Sequence, residues 1–479
     1  MPFSPAYLPD PRFAELGPEF ADAVEPAAFP RHELRLFDRR HAAAVGLDGL
    51  DDGEALDAFG RFAGLPGQPP PLAMRYHGHQ FRSYNPDLGD GRGFLYAQAR
   101  ATDGRLLDLG TKGSGTTPWS RAGDGRLTLK GGVREALASA MLEALGVPTS
   151  RTLALVETGE ALARGDEPSP TRSAVLTRLG WSHIRFGTFQ RHAYFDRRDL
   201  LARLVDHVVE LYYPDLLAFE GAARVAALLG GVVARSARLA AAWMAAGFVH
   251  GVLNTDNMNI NGESFDYGPY RFLPHSDPGF TAAYFDQTGL YAFGRQAEAV
   301  FWNLQQLAGC LVPLLDDPAP LLEALNGFAA TYREAFTQAL VARLGVQARG
   351  AADAALAQAV LRLLAEGAPE MRWEPLFFDW FGGEASEARA LNGPRAGAYA
   401  GEAGLAFRAA LRGYSSVASA RLDDPLFAAA EPEELLYEEI ERLWAAIAGE
   451  DDWAPFHAKL ARIEAARRAY GLAGTGRVG

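Results

Sequence analysis

The chain has 479 residues, 48% of them hydrophobic, and carries a formal net charge of -13 at pH 7. That length can bury more than one core, because the buried fraction grows with size, and the acidic balance argues against a nucleic-acid-binding protein, which needs a basic surface. The one cysteine, Cys310, excludes an intrachain disulfide and is typical of the reducing cytoplasm.

The apolar runs of the chain predict neither a membrane span nor a signal peptide. The longest run, residues 239–249, is shorter than the roughly 20 residues that a membrane-spanning helix needs. The first residues, MPFSPAYLPDPRF, lack a basic stretch followed by an apolar one, the pattern of a signal peptide. We therefore expect a soluble cytoplasmic protein without membrane or nucleic-acid partners.

The first part of the chain predicts a wrapping segment followed by a small lobe. Residues 1–73 are rich in proline and loop-forming residues around one predicted helix at 50–62. In residues 74–172, strand-like stretches such as GFLYAQAR and RLLDLGTK alternate with Gly-Asp-Gly turns. One helix is predicted at 132–145, with a stop at Gly146 and Pro148. These features predict a small β-rich lobe with one packed helix.

The remaining part, residues 173–479, is mostly helical in pattern. It follows the polar stretch ARGDEPSPTR (163–172), which is typical of a loop or hinge. Helices are predicted at 198–211, 221–248, 295–315, 319–344, 351–364, 433–447 and 453–470. The sequence therefore predicts an α+β protein in which a β-rich small lobe precedes a helical large lobe. A cleft between two such lobes is a common place for a ligand.

Oxygen-bearing side chains gather in HGVLNTDNMNINGESFDYGP (250–269), directly after an apolar helix. Asp256 and Asn257 are adjacent, and Asp266 opens the tripeptide Asp-Tyr-Gly. Hard divalent cations such as Mg²⁺ take oxygen ligands, and phosphotransferases hold them with a loop Asn and an Asp before an aromatic-Gly pair. The pattern indicates a metal and phosphate site. The alternative is an Asn/Asp-rich turn between two strands, because these side chains cap their own backbone.

A lysine and a glutamate of the small lobe extend this pattern. Lys112 ends the strand-like RLLDLGTK, and Glu135 lies on the predicted helix. In kinases a strand lysine reaches the nucleotide phosphates while a helix carboxylate orients it, although such a pair can also be a surface pair of little energetic weight. The order of Lys, helix Glu, His-Gly with Asp-Asn, and Asp-Tyr-Gly is that of protein kinases. Val252, however, stands where a kinase carries its catalytic Asp.

Glycine turns and arginines add candidate phosphate contacts. The turns LGDGRG (88–93) and RAGDGR (121–126) carry Arg92 and Arg126, but Asp-Gly turns are also common in ordinary hairpins. Arg178 and Arg185 lie seven residues apart, on one helix face if the segment is helical and on neighbouring turns otherwise. Two guanidinium groups there would clamp a di- or triphosphate end. The alternative is a pair of solvated or salt-bridged arginines.

Three further residues are interpreted as structural. His77 and His79 in YHGHQF have no third metal ligand placed with them, so we expect them to pack or to form hydrogen bonds. Cys310 lies in the apolar helical run FWNLQQLAGCLVPLL and is predicted to be part of the core.

Four motifs together resemble the selenoprotein O family, also called YdiU, of protein adenylyltransferases with a pseudokinase fold. They are GHQF with LGDGR (78–92), KGSGTTPWSRAGDGR (112–126), LTRLGWSHIRFGTF (176–189) and HGVLNTDNMNINGESFDYGP (250–269), and the resemblance runs over about residues 74–310. Arg82 stands where the family usually has Gly, and Gly93 where Ala is common. The C-terminal part lacks the usual family ending with its cysteine or selenocysteine, so we expect no control through a C-terminal thiol.

The resemblance implies a two-lobed, protein-kinase-like fold that binds ATP between its lobes, flipped relative to kinases. AMP would be transferred to Ser, Thr or Tyr hydroxyls of proteins, the enzyme itself included, with UTP as a further donor. By matching positions, Asp256 would act as the base, and Asn257 and Asp266 would hold Mg²⁺ or Mn²⁺. The residues implied in nucleotide binding are Gly89, Gly91, Arg92, Lys112, Asp124, Gly125, Glu135, Arg178, Arg185 and Asp266.

The sequence as a whole predicts a Mg²⁺-dependent nucleotidyltransferase acting on protein hydroxyls. It would comprise a wrapping segment (1–73), a small nucleotide-binding lobe (74–172) and a large catalytic lobe (173–479). Two alternatives stay open. A kinase-type enzyme moving the γ-phosphate is disfavoured by Val252 and the Arg178 and Arg185 pair. An inactive nucleotide-binding scaffold is disfavoured because it would have no need of the base Asp256.

Overall fold

A nine-stranded antiparallel sheet forms the first part of the protein. The computed structural model describes residues 5–165 and 167–472. Their strands are β1 (Leu8–Pro9), β2 (Ala21–Ala23), β3 (Glu33–Phe37), β4 (Leu72–Met74), β5 (Gly78–Gln80), β6 (Ser83–Asn85), β7 (Leu95–Arg100), β8 (Leu106–Lys112), β9 (Leu127–Thr128), β10 (Arg151–Leu162), β11 (Thr171–Gly180), β12 (Phe248–Val249) and β13 (Arg271–Phe272). The sheet runs β2-β4-β7-β8-β11-β10-β3, with β1 beside β7 and β9 beside β11, while β5–β6 and β12–β13 form separate pairs.

Helices make up most of the second part. In chain order they are α1 (Arg39–Ala43), α2 (Asp52–Phe59), α3 (Leu129–Ala144), α4 (Phe186–Tyr194), α5 (Arg198–Tyr212), α6 (Gly221–Ala245), α7 (Gln296–Leu311), α8 (Ala319–Asn326), α9 (Phe328–Arg343), α10 (Asp353–Glu366), α11 (Trp373–Asp379), α12 (Glu387–Asn392), α13 (Ala396–Ala400), α14 (Glu402–Leu411), α15 (Tyr437–Glu450) and α16 (Ala454–Tyr470). The protein is thus of mixed α+β class, with a sheet-rich part before a helical part, as the sequence predicts.

Both faces of the sheet are covered. Leu106 on β8 faces the core that contains α3, whereas Leu107 and Leu109 face a second core built with the N-terminal residues and α2. Alternate side chains of a strand point to opposite faces, so a sheet buried on both faces needs nearly continuous apolar strands. The N-terminal segment therefore covers one face of the sheet, and it also adds β2 and β3 to its edges.

The polar stretch at 163–172 links two paired strands. β10 and β11 run antiparallel, with Leu162 opposite Thr171 and Arg151 opposite Leu179. The strands on either side of this stretch therefore belong to one sheet, so the stretch is not a hinge between two parts. The sheet continues to Gly180, beyond the boundary expected at 172.

Two helices position the loops that matter for the site. Helix α3 packs on β10 and β11, begins after the cap Thr128, and ends before Gly146, whose φ of 79° favours glycine. Helix α6 packs against α7, α8 and α9. By length and composition α6 could cross a membrane, but 56% of its apolar window is buried inside the protein. The chain leaves α6 through β12, and the pairing of β12 with β13 closes the loop 250–270.

Candidate active site

A cavity of about 750 Å³ lies between the glycine turns of the sheet and the loop that follows α6. This volume is in the range of small-molecule sites. Glu135 lies behind Lys112, with which it pairs. The other residues proposed from the sequence all line the cavity: Gly89, Gly91, Arg92, Lys112, Asp124, Gly125, Arg178, Arg185, Asp256, Asn257 and Asp266.

The Asp266 carboxylate is the centre of a buried charge cluster. Lys112 Nζ lies 3.1 Å and Arg178 Nη1 2.6 Å from Asp266 Oδ1. Arg185 Nη1 lies 3.0 Å from Oδ2. Burial opposes the ionisation of Asp266, but the charges of Arg178, Lys112 and Arg185 outweigh it and hold the pKa of this carboxyl well below its usual range. Asp266 is therefore ionised and gathers three cations in the wall of the cavity.

Glu135 supports two of these cations from α3. It pairs with Lys112, and its Oε2 lies 3.9 Å from Arg178 Nη1. Lys112, Glu135 and Arg178 are at most 5% exposed. A charge so deeply buried is stable only with close partners, and each of these has at least one. Lys112 and Glu135 are therefore not a surface pair, and Arg178 is not a solvated arginine.

Arg178 and Arg185 do not share a helix face, which was one of the two arrangements considered from the sequence. Arg178 lies in β11, opposite Gly110 of β8, and Arg185 immediately precedes α4. Strand pairing with β8 and β10 decides the conformation of this segment, because cross-strand contacts override a local helical spacing. The two guanidinium groups nevertheless meet at Asp266.

Arg185 is fixed on several sides. Its Nη1 donates to the Asp256 carbonyl oxygen at 2.8 Å, and its Nη2 lies 3.3 Å from Asp90 Oδ1. The guanidinium carbon lies 4.6 Å from the ring centre of Tyr76 and 4.8 Å from that of Phe265. Cations over aromatic faces are attracted by the ring quadrupole. Arg185 thereby connects the Asp266 cluster to the backbone at Asp256.

Asp256 and Asn257 lie in a short 3-10 turn, Thr255–Asn257. Burial raises the pKa of Asp256 to about 6, although the charge of Arg185 works against this. Asp256 Oδ1 is buried and has no hydrogen-bond partner among the described residues. Asn257 Nδ2 donates to the Val252 carbonyl at 3.0 Å, which leaves Asn257 Oδ1 as an acceptor. The turn therefore presents oxygen atoms that the protein itself does not use.

These oxygens fit a hard divalent cation. Mg²⁺ prefers oxygen ligands and in nucleotide enzymes is held by one or two carboxylates together with phosphate oxygens. Within residues 5–165 and 167–472, no group of three or more His, Cys, Asp or Glu side chains could hold a metal on its own. Because both oxygens of Asp266 contact cations, a metal can bind there only when an anionic ligand takes over those cations.

The first glycine turn lies against the segment around Trp119. A Cβ at Gly89 would lie 2.4 Å from Trp119 Cγ, and one at Gly91 would lie 2.8 Å from the Trp119 carbonyl oxygen. Only glycine allows the backbone to approach so closely. In the second turn, Asp124 pairs with Arg164 at 2.7 Å and Arg126 pairs with Glu160 at 2.7 Å. Arg126 is therefore already neutralised, whereas no salt bridge is observed for Arg92 among the described residues.

Several residues of the cavity wall were not predicted from the sequence: Tyr76, Asp90, Trp119, Arg164 and His183. His183 accepts a hydrogen bond from Arg178 Nε at 3.3 Å, and its Nδ1 lies 3.4 Å from Asp108 Oδ2. Burial raises the pKa of Asp90, which lies between Gly89 and Gly91. Tyr76, Asp90, Trp119 and His183 lie inside or beside the four motifs, which was the available signal, but nothing in their spacing distinguishes them from structural neighbours. Arg164 lies outside the four motifs and carried no such signal.

His77 and His79 form hydrogen bonds, as expected from the sequence. His77 Nδ1 lies 2.8 Å from Tyr84 Oη, and Arg191 Nη1 lies 3.0 Å from His77 Nε2. His79 Nδ1 lies 2.7 Å from Gln190 Nε2. Burial lowers the pKa of both imidazoles, to about 4 for His77, so both are neutral at pH 7.

Comparison with known proteins gives consistent matches over most of the chain. Residues 6–388 match a family model described as protein adenylyltransferase SelO. The chain is 47% identical to the protein nucleotidyltransferase YdiU of Gloeobacter violaceus, across 97% of this chain and 96% of the relative. It is 54% identical to the protein of the same name from Synechococcus elongatus, across 71% of this chain and 68% of the relative. It is 43% identical to the Rhodopseudomonas palustris protein of the same name, across 76% of this chain and 73% of the relative.

Proposed function

Because the chain belongs to the SelO family of protein adenylyltransferases and is thus a protein nucleotidyltransferase, we propose that it transfers AMP from ATP to Ser, Thr or Tyr hydroxyls of proteins. UTP is proposed as a further donor and Mn²⁺ as an alternative to Mg²⁺. We also propose a kinase-like arrangement in which the nucleotide lies between the sheet-rich and the helical part.

The observation that carries this proposal is the group of three cations around Asp266. Lys112, Arg178 and Arg185 meet within hydrogen-bonding distance of one carboxylate in the cavity wall. A triphosphate end is the kind of anion that such a group accepts. With the β and γ phosphates there, the charge that develops on the leaving pyrophosphate is stabilised by groups already in place.

Asp256 is proposed as the general base. Its buried Oδ1 has no partner in the described part of the chain, and a carboxylate with a pKa near 6 is largely ionised at pH 7. The acceptor oxygen would form a bond to the α-phosphorus while its proton passes to Asp256. The bond between the α-phosphorus and the bridging oxygen then breaks, and pyrophosphate leaves with that oxygen.

The divalent cation would be held by Asn257 and Asp266. When bound, it would offset negative charge on the phosphate oxygens. The chain's own contribution is to orient these ligands: Asn257 is held by the Val252 carbonyl, and Asp266 would become available once the phosphates take over its contacts with Lys112, Arg178 and Arg185.

A γ-phosphate transferase is less consistent with these contacts. Val252 lines the cavity where a kinase carries its catalytic Asp, and a valine side chain cannot accept a proton. The cations around Asp266 would hold the γ-phosphate rather than release it to an acceptor.

The test is to determine which phosphorus is transferred. Incubated with protein acceptors and Mg²⁺ or Mn²⁺, the enzyme should incorporate label from α-labelled ATP and none from γ-labelled ATP. Asp256→Asn should abolish labelling while ATP binding, followed by calorimetry, changes little, because a base acts mainly in the transition state. Transfer of the γ label would instead establish a kinase. Absence of label from both positions would favour the scaffold.

A further inference from the structure

The hairpin β5–β6 carries an unusual turn at the edge of the cavity. Its turn residues, Phe81 and Arg82, have φ values of 50° and 64°, a left-handed conformation that costs free energy for side chains other than glycine. Gln80, just before them, lines the cavity. Residues kept in such a conformation are held by their surroundings, so the position of Phe81 is fixed rather than incidental.

The hairpin is bonded to the loop that carries Asp256. The backbone N–H of His79 donates to Thr255 Oγ1 at 2.7 Å, and that of Phe81 donates to Asn254 Oδ1 at 3.0 Å. The hydroxyl of Tyr291 donates to the same Asn254 oxygen at 2.8 Å. Asn254 and Thr255 immediately precede Asp256, so the tip of the hairpin keeps a fixed distance from the proposed base.

Two exposed aromatic residues, Phe285 and Tyr284, pack in sequence beside Phe81 at this tip. Phe285 is 47% and Tyr284 80% exposed. The ring centres of Phe81 and Phe285 are 5.7 Å apart, and those of Phe285 and Tyr284 are 5.1 Å apart. The chain just before them packs on the start of the loop, since a Cβ at Gly251 would lie 3.0 Å from Ala282 Cβ.

We propose that Phe81, Tyr284 and Phe285, here called the aromatic platform, bind an apolar side chain of the acceptor polypeptide beside the hydroxyl that is modified. The proposal rests on the function proposed above, in which a protein hydroxyl must reach Asp256. Exposed aromatic residues are the side chains that most often anchor a polypeptide partner. The platform is continuous with the loop of the proposed base, and the phosphate-binding cations lie at the Asp266 carboxylate. Because the Phe81 N–H is bonded to Asn254, two residues before Asp256, we expect residues that flank the modified hydroxyl to come within reach of the platform.

The test uses synthetic peptides centred on Ser, Thr or Tyr and otherwise made of glycine, compared with a set in which one flanking glycine at a time is leucine. Labelling from α-labelled ATP gives the specificity constant for each peptide. The wild-type enzyme should prefer at least one leucine peptide over its glycine parent by about tenfold, the effect of burying one leucine side chain. Phe285→Ala and Tyr284→Ala should each remove most of that preference.

A matched control comes from another exposed phenylalanine. Phe219, 45% exposed in the segment before α6, has an exposure similar to that of Phe285. Phe219→Ala should retain the leucine preference. Cleavage of ATP to AMP and pyrophosphate by water reports the chemistry without an acceptor, and all three variants should keep this rate within about twofold of wild type.

Each outcome is decisive for one proposal. Equal specificity constants for leucine and glycine peptides, or a preference that survives both Phe285→Ala and Tyr284→Ala, would overturn the platform. An enzyme that cleaves ATP to AMP and pyrophosphate but labels none of the peptides would overturn it as well. If the bond between the α-phosphorus and the bridging oxygen is not cleaved in any experiment, with water or with a peptide as acceptor, the proposed transferase function would be contradicted instead.

Discussion

At the scale of single residues, Asp266 has two proposed roles that compete. In the protein without nucleotide it pairs with Lys112, Arg178 and Arg185. As a metal ligand it would need its oxygens free. Since a phosphate oxygen can replace the carboxylate as partner of each cation, nucleotide binding and release of Asp266 are expected to be coupled. Metal binding should therefore depend on the nucleotide, and each should strengthen the other.

The Asp266→Asn variant separates these roles. Without divalent metal it should bind ATP about tenfold more tightly than wild type, because the carboxylate no longer competes for cations and a charge-assisted contact contributes roughly 1.5 to 3 kcal/mol. Adding Mg²⁺ should then improve ATP affinity less than in wild type. Calorimetric titrations with EDTA and with Mg²⁺ measure both quantities. Glu157→Gln, which removes a buried carboxylate paired with Arg35 and Arg172 outside the cavity wall, should leave the ATP affinity unchanged and serves as control. Unchanged metal-free affinity in Asp266→Asn would contradict the coupling.

His183 is expected to act through Arg178. It accepts a hydrogen bond from Arg178 Nε while Asp108 lies beside its other nitrogen, so the imidazole orients the guanidinium. His183→Leu removes this acceptor and should raise the KM for ATP by about tenfold, in line with a lost hydrogen bond to a charged group. His183→Gln can still accept from Arg178 and should recover part of the loss. If the two variants have equal KM and equal thermal stability, His183 does not position Arg178.

At the scale of elements, α3 joins the site to the C-terminal part of the chain. Glu135 on α3 pairs with Lys112, while α15 and α16 pack on the same helix. Lys130 at the start of α3 pairs with Glu441 on α15 at 2.8 Å. Movement of α3 would displace Glu135 from Lys112, so the C-terminal helices are expected to hold Lys112 in place.

A core substitution in α16 should therefore weaken nucleotide binding at a distance. Ile463, 1% exposed on α16, belongs to the core that includes α3. Ile463→Ala should lower the free energy of unfolding by about 2 to 5 kcal/mol and the ATP binding free energy by about 0.5 to 2 kcal/mol. Leu356→Ala, in the separate core around α10, should cost similar stability and leave ATP binding unchanged. Equal ATP affinity in both variants would show that α16 only stabilises the fold.

Elements with a clear apolar period could be predicted from the sequence. The helix expected at 198–211 is observed as Arg198–Tyr212, and Lys112 ends a strand as expected. The helix expected at 319–344 is interrupted at Gly327, because glycine weakens a helix interior. Helix α4 and the strand that holds Arg178 were not assigned, since their conformation depends on partners distant in sequence. Most of the candidate site could be identified because the order of the motifs is read directly from the sequence, whereas the backbone conformation is not.

At the scale of the whole molecule, the protein has a negative net charge but gathers three cationic side chains in one cavity. The net charge of -13 repels polyanions from most of the surface, whereas Lys112, Arg178 and Arg185 are buried within the cavity. An anion is therefore recognised by enclosure and short contacts rather than by long-range attraction, and salt should screen such buried contacts only weakly. This agrees with a small nucleotide as ligand and not with a nucleic acid.

Thiol oxidation is expected to leave the activity of the enzyme unaffected, because Cys310 is the one cysteine among the 479 residues and is buried. Cys310 is 8% exposed on α7, its Sγ donates to the Gln306 carbonyl at 3.1 Å, and burial raises the pKa of its thiol to about 12. Only the thiolate reacts readily, and very little thiolate is present at pH 8. Nucleotidyl transfer measured with reductant and after peroxide treatment should be equal in wild type and in Cys310→Ser. A loss on oxidation that Cys310→Ser abolishes would show that this buried thiol becomes accessible during turnover.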